Sequence, residues 1–396
     1  MSIRLNLPRI IQGPDGAAGW RLASAVSRAG QLGVVSGNHV EAFLIRHLQA
    51  GDPGGRIRRL MADFPYHDLA TRVQQSCFAG RRPAATGESL LAACRRAAST
   101  DPAGLAALAA FVEVGLAKEG HDAPVGISLT IGEGVPNLAV LYGAILAGVD
   151  AVLIQGQLPR GFRNALERLA QHELVSIKLP TRGPVIGPDT VSFDPRQLGP
   201  LPRQRAFRPW LIPIVGPRAI ESTLDASPVD GVVVDCGLPE EGDDCRLSQL
   251  GERGIPYWTE GVRSKGCANA QCRSAAAGIY IRNLFAWCEE ADHASPTAGQ
   301  GGERGRHWQS PTPPLAVGLV TSGRDLAQLR RLLRGRSAYT AADVVTFALR
   351  YLSTRSERHP ITTRLGATTL PTGDHRANRY ALAWLLHEAP STRASA

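Results

Sequence analysis

Glycines at positions 13, 16 and 19 stand between a short apolar run, Ile10–Gln12, and an amphipathic segment from Trp20 to Ala29. Without a Cβ, glycines at the end of a strand let backbone N–H groups come close to a phosphate or an aromatic ring. The same spacing also satisfies the geometry of a tight strand-to-helix turn. A second cluster that could do chemistry is CGLPEEGDD (236–244), where Glu240, Glu241, Asp243 and Asp244 gather four carboxylates. One of them could serve as a base, and an exposed acidic loop would equally be only a solvated surface. Among the histidines, His39 reads as a surface loop residue, and His121 and His172 as capping or solvent-exposed residues at element ends. The chain has neither a Gly-x-Ser-x-Gly elbow nor a P-loop, which removes support for a serine hydrolase or a P-loop nucleotide enzyme.

The elements that must position these residues follow from the apolar runs. Eight short ones read as parallel strands: Arg9–Gln12, Gly33–Ser36, Val125–Leu129, Ala151–Gln155, Trp210–Val215, Gly231–Asp235, Pro256–Thr259 and Gly278–Ile281. Each is followed by a helical pattern or an irregular lobe, the alternation that an α/β barrel with strands buried on both faces requires. The fold expected is a (β/α)8 TIM barrel with a helical insertion after the second strand and a C-terminal helical extension. Residues 8–38 and 123–290 make the barrel and 39–122 the insertion, with helical runs at Leu90–Ala97 and Gly104–Leu116. Leu174–Leu179 and Thr190–Phe193 alternate like a β-hairpin. Residues 291–314 are poor in apolar side chains and read as a flexible linker. Two helices, Leu326–Leu333 and Thr340–Leu352, belong to an extension over 315–352, and 353–396 is a tail with one apolar helix near Tyr380–His387.

At 396 residues and 43% hydrophobic content, the chain can hold one such barrel, which commonly takes about 250 residues, together with additions. No run of 18 or more apolar residues is present, and Met1–Leu7 leads straight into the first strand, so a cytoplasmic protein with no membrane partner is expected. The net charge is +9, yet only Lys118, Lys178 and Lys265 are lysines among 44 basic residues. The arginines are scattered through helices beside Ala and Leu, which argues against a nucleic-acid stripe. The seven cysteines (77, 94, 236, 245, 267, 272 and 288) are odd in number and widely spread, as free thiols in a reducing compartment would be. Cys236, Cys245, Cys267 and Cys272 are spaced unlike the hooks of structural zinc sites, so no metal site is expected.

The wording of several blocks goes beyond pattern. They are IIQGPDGAAGWRLASAVSRAGQLGVVSG (10–37), VSGNHVEAFLIRHLQAGDPGGRIRRLMADFP (35–65), VGISLTIGEGVPNLAVLYGAILAGVDAVLIQGQLPR (125–160) and VDGVVVDCG (229–237). GIPYWTEG (254–261), AAAGIYIRNLFAWCEE (275–290) and LVTSGRDLAQLRRLLRGRSAYTAADVV (319–345) continue them. Together they resemble, in order, the nitronate monooxygenase (2-nitropropane dioxygenase) family of FMN-dependent TIM barrels. Within it they are most similar to the trans-acting enoyl reductase branch of polyunsaturated fatty acid and polyketide synthases. The resemblance implies FMN as cofactor, with NAD(P)H as electron donor. It also implies a small-molecule substrate and an acyl carrier or synthase protein as partner. Cofactor-binding positions carried over are Gln12, Gly13, Ser36, Gly37, Ser128, Gly261, Arg282 and Asn283; no catalytic residue carries over.

At the ligand-facing loops this chain departs from the family pattern. Glu260-Gly261 stands where the resemblance implies a Gly-Gly pair at the FMN phosphate, and Arg282-Asn283 where it implies Gly-Thr. Arg282 is a phosphate ligand by chemistry. A carboxylate such as Glu260, about 4 Å from a phosphate charge, costs about 4 kcal/mol at an effective dielectric near 20. Glu260 is instead expected to pair with Arg282. CGLPEEGDD lacks the family's histidine. Pro14-Asp15 replaces a longer first loop, Ser128 an asparagine, Gly132 a lysine, and Gln155-Gly156-Gln157 a Gly-Ala-Gly turn. Two expectations follow: an FMN-dependent oxidoreductase of enoyl reductase or nitronate monooxygenase type, or a degenerate barrel without tight flavin binding that acts as a non-catalytic partner or binding protein.

Overall fold

The computed structural model describes residues 7–13, 19–77, 101–131, 138–178, 190–235, 243–260, 276–281, 285, 288, 290 and 340–354. Eight strands grow from the apolar runs: β1 (Ile10–Gln12), β2 (Gly33–Ser36), β3 (Val125–Thr130) and β4 (Ala151–Gln155), then β7 (Trp210–Val215), β8 (Val232–Val234), β9 (Tyr257–Glu260) and β10 (Gly278–Ile281). They form one parallel sheet in the order β1-β10-β9-β8-β7-β4-β3-β2. An isolated parallel bridge between Ile11 and Leu32 joins the two ends, so the sheet closes into a (β/α)8 barrel. Between β4 and β7 the expected hairpin is present as the antiparallel pair β5 (Val175–Lys178) and β6 (Thr190–Phe193).

The closure is made in an unusual way. Leu32 N–H donates to Ile10 O (3.1 Å) and Gln12 N–H to Leu32 O (3.0 Å), after which β1 turns away and Gly13 N–H donates to Ile281 O at 2.7 Å. The Gln12 side chain fills the gap that opens: its Nε2 donates to Val34 O and its Oε1 accepts from Val34 N–H, both at 3.1 Å. At the other end of the seam, Gln31 Oε1 accepts from Ile10 N–H at 2.8 Å. Both glutamines are buried. Two side-chain amides therefore stand in for missing ladder bonds, as buried backbone groups demand.

Ile11, Leu32, Val34, Ala151, Leu153, Ile212, Ile214, Val233, Trp258 and Tyr280 fill the barrel interior. Trp258 donates from Nε1 to Pro8 O at 2.6 Å, fixing its ring at the N-terminal end of the barrel. Gly231 makes room for it, since a Cβ there would lie 2.7 Å from the indole.

Outside the sheet, α1 (Trp20–Arg28) follows β1, and the insertion contributes α2 (Val40–Gln49), α3 (Arg56–Asp63), α4 (His67–Cys77) and α5 (Pro102–Lys118). Helix α5 is apolar nearly all round because it is enclosed between the barrel and the rest of the insertion. The GDPGG turn (51–55) has a structural reason: buried Asp52 accepts from Ile57 N–H, Arg58 N–H and Arg58 Nε, capping α3. Helices α6 (Leu138–Leu146), α7 (Phe162–Ala170), α8 (Ile220–Ala226) and α9 (Asp243–Glu252) continue the outer ring.

The helix α10 (Ala341–Thr354) begins with a reciprocal box in which Thr340 and Asp343 bond each other's side chain and N–H. It packs on α1 and β1, so this piece of the C-terminal extension is part of the barrel's outer layer. The expected helices at Leu90–Ala97, Leu326–Leu333 and Tyr380–His387, and the linker 291–314, lie outside the described residues. Among the described residues no helix is long and apolar enough to cross a membrane.

Candidate functional site

In a barrel of this kind ligands meet the C-terminal ends of the strands. Alternation fixes which side chains face that mouth, since residues two apart share a face. Val34, Leu153, Ile214 and Val233 belong to the interior cluster. Ser36, Gln155 and Asp235 therefore lie above it on the inner face. Gly126 faces Leu153 and Val34, which puts Ser128 and Thr130 on the same side. Ser36 pairs in register with Ser128, and Thr130 with Gln155. The described rim is thus three hydroxyls, one amide and one carboxylate above an apolar plug. Ser128 is 4% exposed, Ser36, Gln155 and Asp235 are half-buried, and Thr130 is exposed. Asn38, just past β2, holds the rim in shape: its Nδ2 donates to Thr130 Oγ1 at 3.1 Å and its Oδ1 accepts from Thr130 N–H at 3.3 Å.

The residues expected to hold a cofactor fare differently. Gln12 is fully buried and its amide is committed to Val34. Gly13 N–H is bonded to Ile281 O, and Gly37 N–H to Ser128 O at 2.7 Å. A Cβ on Gly37 would sit 2.8 Å from Leu129 Cγ, which belongs to the outer core. A Cβ on Gly156, where φ is +109°, would collide with Ile131 O. Both glycines answer to packing between neighbouring strands, where for Gly37 the resemblance implied contact with a cofactor. Ser36 and Ser128 do come together at the mouth. Gly261, Arg282 and Asn283 lie outside the described residues, as do Pro14-Asp15, Gly132, Glu240 and Glu241; the expected Glu260–Arg282 pair falls there too. Asp243 and Asp244 open helix α9.

Glu41, in the first turn of α2 three residues beyond Asn38, was not singled out by its sequence context. Burial raises its carboxyl above the ordinary glutamate value, with its own N–H and neighbouring His39 pulling the other way. His39 itself is exposed in a left-handed conformation, φ 61°, at the N-terminus of α2. The signal that could have found Glu41 is its place: a carboxylate in the first helical turn after a barrel strand stands at the mouth by topology.

His172 stands at the end of α7, as an element-end residue should, but is buried rather than exposed to solvent, with φ 61°. Its Nε2 lies 2.8 Å from Gln204 O and so donates, leaving Nδ1 to accept from Tyr142 Oη at 2.9 Å. Tyr142 Oη in turn accepts from Tyr66 Oη at 2.7 Å. Burial raises both phenols above their ordinary value, which keeps them protonated. This one-way chain ties the insertion to α6, α7 and the segment after the hairpin. His121 caps α5, its Nε2 lying 2.8 Å from Ala117 O. Cys77 and Cys288 are buried and in no disulfide, and Cys94, Cys236, Cys267 and Cys272 lie outside the described residues. Among the described residues no group of three or more His, Cys, Asp or Glu is placed to hold a metal ion.

No protein-family model matches the chain, and no curated protein does. Among solved structures, FabK from Thermotoga maritima is similar at 14% identity and a TM-score of 0.35, over 73% of this chain and 62% of that one. A dihydrodipicolinate synthase family protein from Coccidioides immitis is similar at 13% identity and a TM-score of 0.30, over 71% of this chain and 68% of that one. The chain thus spans under two thirds of the FabK length. The assignment to the (β/α)8 class rests on the closed parallel strand order.

Proposed function

We propose that this barrel is a binding or partner protein for fatty acid or polyketide-type metabolism, built like an FMN-dependent oxidoreductase but without tight flavin binding. One observation carries the reading. The strand-end amides of Gly13 and Gly37, two positions where the resemblance implies contact with a cofactor, are bonded within the barrel, and Gly37 and Gly156 are closed by Leu129 and Ile131. The inner face of the described half of the mouth offers hydroxyls, an amide and the Asp235 carboxylate, and none of these side chains is a cation that would pair with a phosphate. The altered words at Pro14-Asp15, CGLPEEGDD and Glu260 in the sequence support the same reading.

The test is the visible spectrum of the purified full chain, followed by titration with FMN. The reading expects colourless protein that leaves FMN fluorescence unchanged at micromolar concentrations. A flavin band at about 450 nm with about one flavin per chain would overturn it in favour of an FMN-dependent oxidoreductase of enoyl reductase or nitronate monooxygenase type, using NAD(P)H. The specific observation on that side is the rim itself. Ser36, Ser128, Thr130 and Gln155 all point inward and together supply the hydrogen bonds a flat heterocycle would use.

A further inference from the structure

We infer that the segment 201–207, at the end of the barrel opposite the mouth, is a docking strip for the acidic, amphipathic helix of a partner protein. Three of the four large apolar side chains that stand exposed among the described residues lie on this one lobe: Leu174 (48%), Leu201 (38%) and Phe207 (61%). Scattered single exposures need no explanation, but concentration on one lobe does.

The strip is held rigid while its side chains are left outside. Gln204 O receives the His172 donor, Ala206 N–H donates to Ala170 O at 2.9 Å, and Arg208 grips Asp230 with two nitrogens at 2.7 and 3.1 Å. Asp230 also accepts from Leu211 N–H, which locks the segment to the start of β7. Arg205 and Phe207 stand exposed between these anchors, and Leu201 and Arg203 stand exposed just before the first of them. The fold therefore orders the backbone and places a Phe where burial worth about 1.5–3 kcal/mol is forgone.

Charge selects the occupant. Arg203 and Arg205 form no ion pair with any described carboxylate, whereas nearby Arg168 and Arg163 are paired with Glu173 and Glu167. Two exposed guanidiniums without a described carboxylate partner, interleaved with a Leu and a Phe, complement a surface that is anionic and apolar at once, as the face of an acidic amphipathic helix is. A nucleic acid fits less well. It needs a longer run of cations and several rings to stack successive bases on, whereas the strip offers the single ring of Phe207. Because the strip leads into the N-terminal end of β7, a partner seated there leaves the mouth open.

The test uses the full chain and fluorescence anisotropy with labelled probes. The main probe is a synthetic helical peptide of about 18 residues, with leucines on one face and glutamates flanking them; the counter-probe carries lysines in place of the glutamates. We expect the acidic peptide alone to bind, with affinity falling about tenfold or more in R203E/R205E and in F207S, and falling with added salt. All three positions are exposed, so these variants keep the fold, which circular dichroism checks. L7S, altering the one exposed large apolar side chain off the lobe among the described residues, should bind as the parent does. Equal binding of both peptides, binding indifferent to these substitutions, or no binding of the acidic peptide overturns the inference. So does preference for a single-stranded RNA or for anionic vesicles. None of these results depends on whether flavin is bound.

Discussion

Replacing Gln12 by Leu separates a structural role from a ligand-binding one. The side chain is similar in length and fully buried in either form, so little cavity is created. What disappears is the pair of 3.1 Å bonds to Val34, leaving that residue's N–H and C=O without partners in the seam. An orphaned buried group costs about 1–3 kcal/mol, so two cost about 2–6, offset in part by no longer burying the amide. A net loss of about 2–5 kcal/mol is a large share of the ordinary 5–15 for a folded domain. The loss should appear in urea unfolding of ligand-free protein, followed through the fluorescence of buried Trp258, and Val34 should lose hydrogen-exchange protection. Gln12→Glu adds a sign test. Ionised, the new carboxylate accepts from Val34 N–H but repels Val34 O; protonated, it can donate to that oxygen again. Its native state therefore takes up a proton that the unfolded chain does not, and stability must rise as pH falls through the raised value of the buried acid. If Gln12→Leu unfolds within about 0.5 kcal/mol of the parent, or if its effect appears only when FMN is added, the closure argument is wrong.

Two further substitutions probe groups that the seam does not involve. Glu41→Gln should stabilise the protein at neutral pH and not below the ordinary value of 4.5: burial raises the folded carboxyl, the native state holds the extra proton, and stability falls as pH rises through that window. Melting curves across pH would show a parallel offset if Glu41 were unperturbed. Tyr142→Phe orphans both Tyr66 Oη and His172 Nδ1 and should cost about 2–6 kcal/mol, whereas Tyr66→Phe leaves the Tyr142 donor to His172 in place and should cost clearly less. Equal losses in urea unfolding would reverse the direction assigned to the chain.

The barrel was legible because its strands are buried on both faces. A parallel strand then reads as an unbroken apolar run, and all eight runs became strands with ends shifted by at most two residues. The hairpin was legible for the opposite reason, since a half-exposed pair alternates, as Val175 and Ile177 against Ser176 and Lys178 do. Side-chain roles that depend on tertiary meeting were not legible. Tyr66, Tyr142, His172 and Gln204 come from four separated places, and no spacing announces that three hydroxyl and ring groups will align. Gln12 looked like a mouth residue because it ends β1; that β1 and β2 diverge just there is a property of the closed sheet, not of either strand. Helix α10 was legible as a helix, yet its place on α1 and β1 was not, because fifty residues of chain intervene after Glu290.

The strand-end glycines show where reading for function must turn on direction. A glycine is required wherever a Cβ would collide, and sequence cannot say with what. At Gly37 the collision is with Leu129 and Ser128 O, and at Gly156 with Ile131 O, all on the protein's own side. Had the missing Cβ pointed into the barrel axis, the same glycines would have argued for a ligand drawn close to the backbone. The functional reading therefore rests on the inner-facing residues. Ser36, Ser128, Thr130, Gln155 and Asp235 are the described side chains that a molecule entering the mouth must meet. Hydroxyls and an amide can bond a neutral polar ligand from either side, since each both donates and accepts, while a carboxylate on the same rim disfavours a phosphate. The described inner face thus suits a neutral polar group such as the edge of a heterocycle, while a phosphate in a barrel of this class is held at the loops after its last two strands.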